Sequence, residues 1–218
     1  MQPLCLTFDN GPEPEVTPGV LAILARRRIP ASFFLVGEKL RDPARLALAG
    51  RMRAEGFAVG NHTLSHGTPL GRRAGPEAVA EIAGCDALLG DLREPGRLFR
   101  PNGEGGTLGR HLLNPAAVRH LREGGHTVVL WNAIPRDFDD PEGWPDRARA
   151  QHAAATAPVL MVLHDLPNGA MRQLDRVLGG WQDAGVEFLA EPPEACVPIR
   201  RGLPMPGLAD CVAAERVA

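Results

Sequence analysis

Three groups of side chains in this 218-residue chain stand at spacings that suit hydrolytic chemistry. His62 and His66 are four residues apart, which puts two imidazoles on one side of a helical turn, where both reach a single zinc or other divalent ion. Asp9 closes an apolar run and opens Asp9-Asn10-Gly11-Pro12, and His164 closes Val159-Leu160-Met161-Val162-Leu163. A carboxylate and a titratable ring are thus each pushed out of the end of a buried segment. Bound metal makes water nucleophilic near neutral pH, a carboxylate takes its proton, and an imidazole returns one to a leaving group. Each feature also has a plainer reading: a tight turn of the usual turn formers, a solvated loop marked by Asn61 and Ser65, and a satisfied core histidine. His111, His120, His126 and His152 lack metal spacing and read as surface residues.

The elements that would position these groups are short β-type runs alternating with helical segments. The runs are Pro3 to Phe8, Ser32 to Val36, Phe57 to Gly60, Arg97 to Arg100, Thr127 to Trp131, Val159 to Leu163 and Val186 to Ala190. Helix starts are marked by a capping side chain and a following proline at Thr17-Pro18, Asp42-Pro43 and Asn114-Pro115. Gly56 and Gly124 are candidate stops. Strand and helix alternating this way mean a parallel sheet, and about seven units in some 190 residues favour an α/β barrel, with an open doubly wound sheet as the alternative. Asp9, His62, Arg100, Asn132 and His164 all then fall at the carboxyl ends of strands. Those ends share one face of a barrel, the face where barrel enzymes build their sites.

The chain has length and apolar content, 44% hydrophobic, for one core. Residues 1–190 read as a single barrel domain and 191–218 as a proline-rich extension packed along it, with Pro192, Pro193, Pro198, Pro204 and Pro206. Twenty-four basic residues face 26 acidic ones for a net charge of -2, which supplies no field for nucleic acid or an anionic membrane. No apolar stretch reaches the length of a bilayer span and no secretory leader is legible, so the expectation is a cytoplasmic protein. The four cysteines lack C-x-x-C spacing and read as buried, idle thiols.

Order and spacing together resemble the polysaccharide deacetylase family, also called the NodB homology or carbohydrate esterase 4 family, over about residues 3 to 190. Its first motif, T-F-D-D-G-P, is matched by Thr7-Phe8-Asp9-Asn10-Gly11-Pro12, and its second, H-[ST]-x-x-H, by His62-Thr63-Leu64-Ser65-His66. Arg100-Pro101 matches the third, Trp131 with Asp137-Phe138 the fourth, and Leu160-Met161-Val162-Leu163-His164 the fifth. The resemblance implies a distorted (β/α)7 barrel. It implies Asp9 as general base partnered by Arg100, His164 as general acid steadied by Asp137, and a divalent metal, zinc by expectation, on His62, His66 and Asn10. Phe138, Val162, Trp131, Pro101 and Asn102 would line the substrate pocket.

Three departures from the pattern carry consequences. Asn10 replaces the aspartate that supplies the anionic metal ligand, which weakens the hold on a cation. Asn102-Gly103-Glu104-Gly105-Gly106 replaces the usual sequence after R-P, and its glycines predict a loop of poorly fixed conformation. Phe138 replaces a tryptophan and reshapes the pocket. The expected reaction is metal-assisted hydrolysis of an amide, N-deacetylation of an N-acetylated saccharide. The alternatives are a cytoplasmic amidohydrolase acting on a small non-sugar amide, without metal, and a catalytically silent barrel that binds a glycan or protein. Nothing in the sequence sets the oligomeric state.

Overall fold

A computed structural model describes residues 1–93 and 95–214. Six parallel strands form a curled sheet: β1 (Leu4–Asp9), β2 (Ala31–Leu35), β3 (Ala58–Asn61), β4 (Leu98–Phe99), β5 (Thr127–Val128) and β6 (Val159–His164), in the spatial order β6-β1-β2-β3-β4-β5. β1 and β6 are buried at every position, which is why they read as near-continuous apolar runs. Alternation sorts their side chains. Leu4, Leu6 and Phe8 pack with α1 (Thr17–Arg27), α2 (Pro43–Ala54) and α6 (Leu174–Asp183), while Cys5 joins Phe34, Leu160 and Val162 in a second cluster. α3 (Gly75–Leu89), α4 (Pro115–Glu123) and α5 (Trp144–Ala154) complete the outer layer. The ring closes where the chain after β5 bridges to β6 at Ala133 and Met161, with Val162 N–H donating to the Ala133 carbonyl at 3.0 Å. The fold is a single-domain α/β structure with a curled, barrel-like sheet.

Register positions the site. Asp9 pairs with His164 across β1 and β6, Leu35 with Asn61, and Asn61 with Phe99. Asp9 and His164 therefore stand side by side at one level, and His62 and Arg100 follow immediately after their strands on the same face.

The seventh strand differs from the expectation. Residues 186–190 touch the sheet at one bridge, Leu4 to Phe188, because β1 is already flanked by β6 from Leu4 on and by β2 from Leu6 on. The seventh and eighth strands come instead from the proline-rich stretch: β7 (Ile199–Arg200) pairs antiparallel with β5, and β8 (Leu203–Pro204) folds back on β7. Arg201 and Gly202 at φ 49° and 81° make the tight turn between them. Pro204 then denies the exposed edge a donor. Farther on, Val212 bridges to Leu113.

Two of the three capping sequences act as caps. Asp42 and Asn114 cap α2 and α4 by accepting the Ala44 and Ala117 N–H groups, but Thr17 lies inside α1 and its hydroxyl is used elsewhere. Gly56 takes the left-handed conformation after α2, whereas after α4 that place falls to Gly125 rather than Gly124. All four cysteines are buried and free, and burial pushes the Cys5 thiol up to about 12. His126 and His152 are not surface residues. Both are buried, His126 against Asp86 and His152 with Nε2 on the Gln2 carbonyl at 2.8 Å. Among the described residues no helix is long and apolar enough to cross a membrane.

Candidate functional site

Arg100, fully buried, is the electrostatic centre of the face. Its Nη1 donates to Asp9 Oδ1 and to Thr7 Oγ1, each at 2.7 Å, its Nε to the Val129 carbonyl at 3.1 Å, and its guanidinium lies 4.0 Å over the Phe34 ring. A guanidinium this deep is tolerated only because acceptors meet it on every side. Burial alone would raise the Asp9 carboxyl, but Arg100, with His62 and His164 nearby, outweighs it and holds Asp9 below the usual carboxylate range.

On the neighbouring strand the arrangement is reversed in sign. Asp137, with no exposed surface, accepts both the His164 backbone N–H at 2.7 Å and its Nδ1–H at 2.9 Å. Burial would lower the His164 pKa, but the hydrogen bond and charge of Asp137 raise it above the ordinary histidine value. Phe138 meets the ring edge-on at 4.9 Å.

The two spaced histidines lie with ring centroids 4.7 Å apart. His62 Nδ1 donates to the Arg100 carbonyl at 2.8 Å, which fixes the tautomer and turns Nε2 toward Asp9 Oδ2 at 3.5 Å. Burial and the neighbouring His62 push His66 down to about 3, and burial lowers His62 as well, so both rings are neutral near pH 7, the form that ligates metal. Asn10 Oδ1 is buried without a hydrogen-bond partner. Among the described residues no group of three or more His, Cys, Asp and Glu is arranged to hold a metal ion. Two neutral imidazoles and the orphaned amide oxygen line the same cavity and are the donors available to such an ion. Asn10, Thr63 and His66 all sit at positive φ, 70°, 66° and 52°, conformations costing about 1–3 kcal/mol each and tolerated where the surroundings impose them.

A cavity of about 270 Å³ opens among these groups. Asp9, Asn10, His62, His66 and His164 line it together with Trp131, Phe138, Val162, Pro101, Asn102 and the glycine loop. The loop is pinned, contrary to what its glycines predict. Asn102 Nδ2 donates to the His66 and Gly67 carbonyls, Trp131 Nε1 to the Gly106 carbonyl at 2.9 Å, and Glu104 pairs with Arg72 in solvent at 2.6 Å. Gly103 is required because a Cβ there would run into the Trp131 ring. Asn132 lies outside the cavity, its side chain clasping Pro158 and Leu160.

The sequence reading missed what lies beneath Asn10. Lys39, the only lysine, donates to the Asn10 carbonyl at 2.7 Å and pairs with Glu13. Asp165 is fully buried under Gly11, its Oδ2 accepting the Thr17 hydroxyl, and burial pushes its carboxyl up to about 7. Its place directly after His164 was the available signal.

The comparisons with known proteins agree with this face. The family model described as polysaccharide deacetylase matches residues 2–107. The chain is 33% identical over 168 residues to a chitooligosaccharide deacetylase of Sinorhizobium fredii, covering 73% of this chain and 70% of that one. It is 32% identical over 147 residues to a peptidoglycan-N-acetylglucosamine deacetylase of Bacillus cereus, covering 63% and 61%. The solved structure of the peptidoglycan deacetylase PdaC from Bacillus subtilis superposes with a TM-score of 0.70 at 26% identity, over 86% of each chain. With a relative of that identity and coverage, and with the motif residues gathered on one face of a barrel-like sheet, the chain belongs to the polysaccharide deacetylase family.

Proposed function

We propose that this protein hydrolyses the N-acetyl group of an N-acetylated saccharide. The observation that carries the reading is the opposed pair of titrating groups on one cavity, Asp9 held low by Arg100 and His164 held high by Asp137. Pairs pushed apart in this way divide the work of base and acid. Asp9 accepts a proton from the water whose oxygen bonds to the amide carbon. As the C–N bond breaks, His164 gives its proton to the departing nitrogen, and the products are acetate and a free amine. The walls of Trp131, Phe138 and Val162 suit the acetyl methyl.

A divalent ion, zinc in this reading, would be held by His62, His66 and Asn10 and would supply polarisation of the carbonyl and acidification of water. The unpartnered Asn10 oxygen supports that assignment. Exhaustive chelation is expected to stop acetate release from chitooligosaccharides, and zinc to restore it. Asn10→Asp should raise zinc affinity by about tenfold or more, measured by competition with a chromogenic chelator, because a carboxylate adds an anion to a neutral donor set. The neutral set also favours a second reading, a metal-free hydrolase of small amides. Turnover of such amides that survives chelation, with no acetate from chitooligosaccharides, would establish it.

The acid and base fix the pH dependence. Activity needs Asp9 ionised and His164 protonated, so the acid limb of kcat/KM falls below the ordinary Asp value of 3.8 and the alkaline limb above the ordinary His value of 6.5. Asp137→Asn removes the anion that raises His164. The alkaline limb should move to lower pH, with a loss on the order of tenfold or more at pH 8. An unmoved limb would remove His164 from the role of acid.

A further inference from the structure

Helix α3 lies behind the histidine loop and turns two carboxylates toward it. Glu81 accepts the Ser65 backbone N–H at 2.9 Å and the Ser65 hydroxyl at 2.7 Å. Asp86 accepts one Asn61 Nδ2–H at 2.8 Å, and the other goes to the Ile82 carbonyl at 2.9 Å. With its amide fixed this way, Asn61 presents Oδ1 to the Thr63 N–H at 2.8 Å. The loop is therefore gripped at the residue before each histidine, Asn61 before His62 and Ser65 before His66. The grip opposes strain, since Thr63 and His66 hold positive φ without being glycine, and Thr63 is β-branched.

Asp86 is itself seated. His126 Nε2 lies 2.8 Å from its Oδ2 and His126 Nδ1 3.3 Å from the Leu121 carbonyl, and Arg93 stands 3.5 Å from the carboxylate. Burial would raise the Asp86 carboxyl, but the hydrogen bonds from His126 and Asn61 hold it below its ordinary range. Neither Asp86 nor His126 lines the cavity. A carboxylate buried with such partners is a weak source of stability, because desolvation offsets most of the attraction and apolar residues fill such space as well. What an apolar pair cannot supply is a directional acceptor for the Asn61 amide.

We infer that Asp86, seated by His126, is a positioning residue: it orients Asn61, which sets the backbone of the loop carrying His62 and His66. The inference rests on the metal-assisted reading above, and its first readout does not depend on it. Hydrogen exchange of the Thr63 amide is measured in metal-free protein. Cobalt(II) affinity and visible spectrum, then kcat and KM of the zinc-loaded protein, are measured alongside it for wild type and variants.

Asp86→Ala should speed Thr63 exchange at least about tenfold, weaken cobalt binding by about 10–100-fold with an altered spectrum, and lower kcat with KM unchanged. Asp86→Asn should restore all three. Its amide oxygen still accepts from Asn61, and its new N–H meets His126 Nε2 as acceptor in the tautomer that carries its proton on Nδ1. Asp86→Leu with His126→Phe fills the space without the acceptor, and should fold yet share the losses of Asp86→Ala. Wild-type Thr63 protection in that folded double variant would overturn the inference, as would cobalt affinity within twofold of wild type where wild type binds cobalt. Failure of wild type to bind cobalt or release acetate would instead refute the metal-assisted reading, leaving Thr63 exchange to decide the positioning.

Discussion

Asp9→Asn is expected to lower acetate release by about 10²–10⁴-fold, the range that a positioned acid or base contributes. The side chain keeps its shape and can still accept from Arg100 Nη1, so the loss reports the missing base rather than a displaced strand. The substitution also leaves the buried Arg100 without its counter-charge. Stability should fall too, and rates are therefore compared well below the variant's Tm. KM should change little, because Asp9 acts on water rather than on the sugar.

Arg100→Met has the largest expected effect on stability, a loss of about 3–5 kcal/mol by urea unfolding at pH 7, because it strands a buried carboxylate. The cost arises from Asp9 and from the Thr7 hydroxyl and Val129 carbonyl that Arg100 ties together. The pH dependence separates this from simple loss of packing. In wild type the Asp9 pKa is below its unfolded value of 3.8, so its stabilising contribution is present at neutral pH and is lost as pH falls through the folded value. Without Arg100 burial dominates, the Asp9 pKa rises above the unfolded value, and the sign inverts. The stability difference between variant and wild type should then shrink toward acid pH, whereas a packing defect would leave it constant.

How much of this could be read from the residues follows from which signals are local. Asp9 and His164 were legible as polar side chains ending apolar runs, and His62 and His66 by spacing. Their convergence on one face followed from the strand-helix alternation, but the register that sets Asp9 beside His164 is a tertiary fact. The barrel was legible as a class and mistaken in one strand: Val186 to Ala190 carries a strand pattern, yet β1 has only Leu4 left to pair with it. The replacing hairpin was hidden by prolines, although Arg201-Gly202 is a turn signal. His126 was misjudged because the absence of metal spacing says nothing about burial, and its partner Asp86 lies forty residues away. Composition alone predicts a poorly fixed glycine loop, while its fixation comes from Asn102 and Trp131 bonding to distant carbonyls.

The reading stands or falls on whether the cavity between Asp9 and His164 cleaves an N-acetyl amide. The direct measurement is the acetate and free amine released from chitotetraose by the zinc-loaded protein, with Asp9→Asn assayed beside it. Acetate and amine appearing in equal amounts for wild type and nearly vanishing for Asp9→Asn is the predicted result. Zinc-loaded wild type that releases neither, or an Asp9→Asn variant that releases both at the wild-type rate, would contradict it.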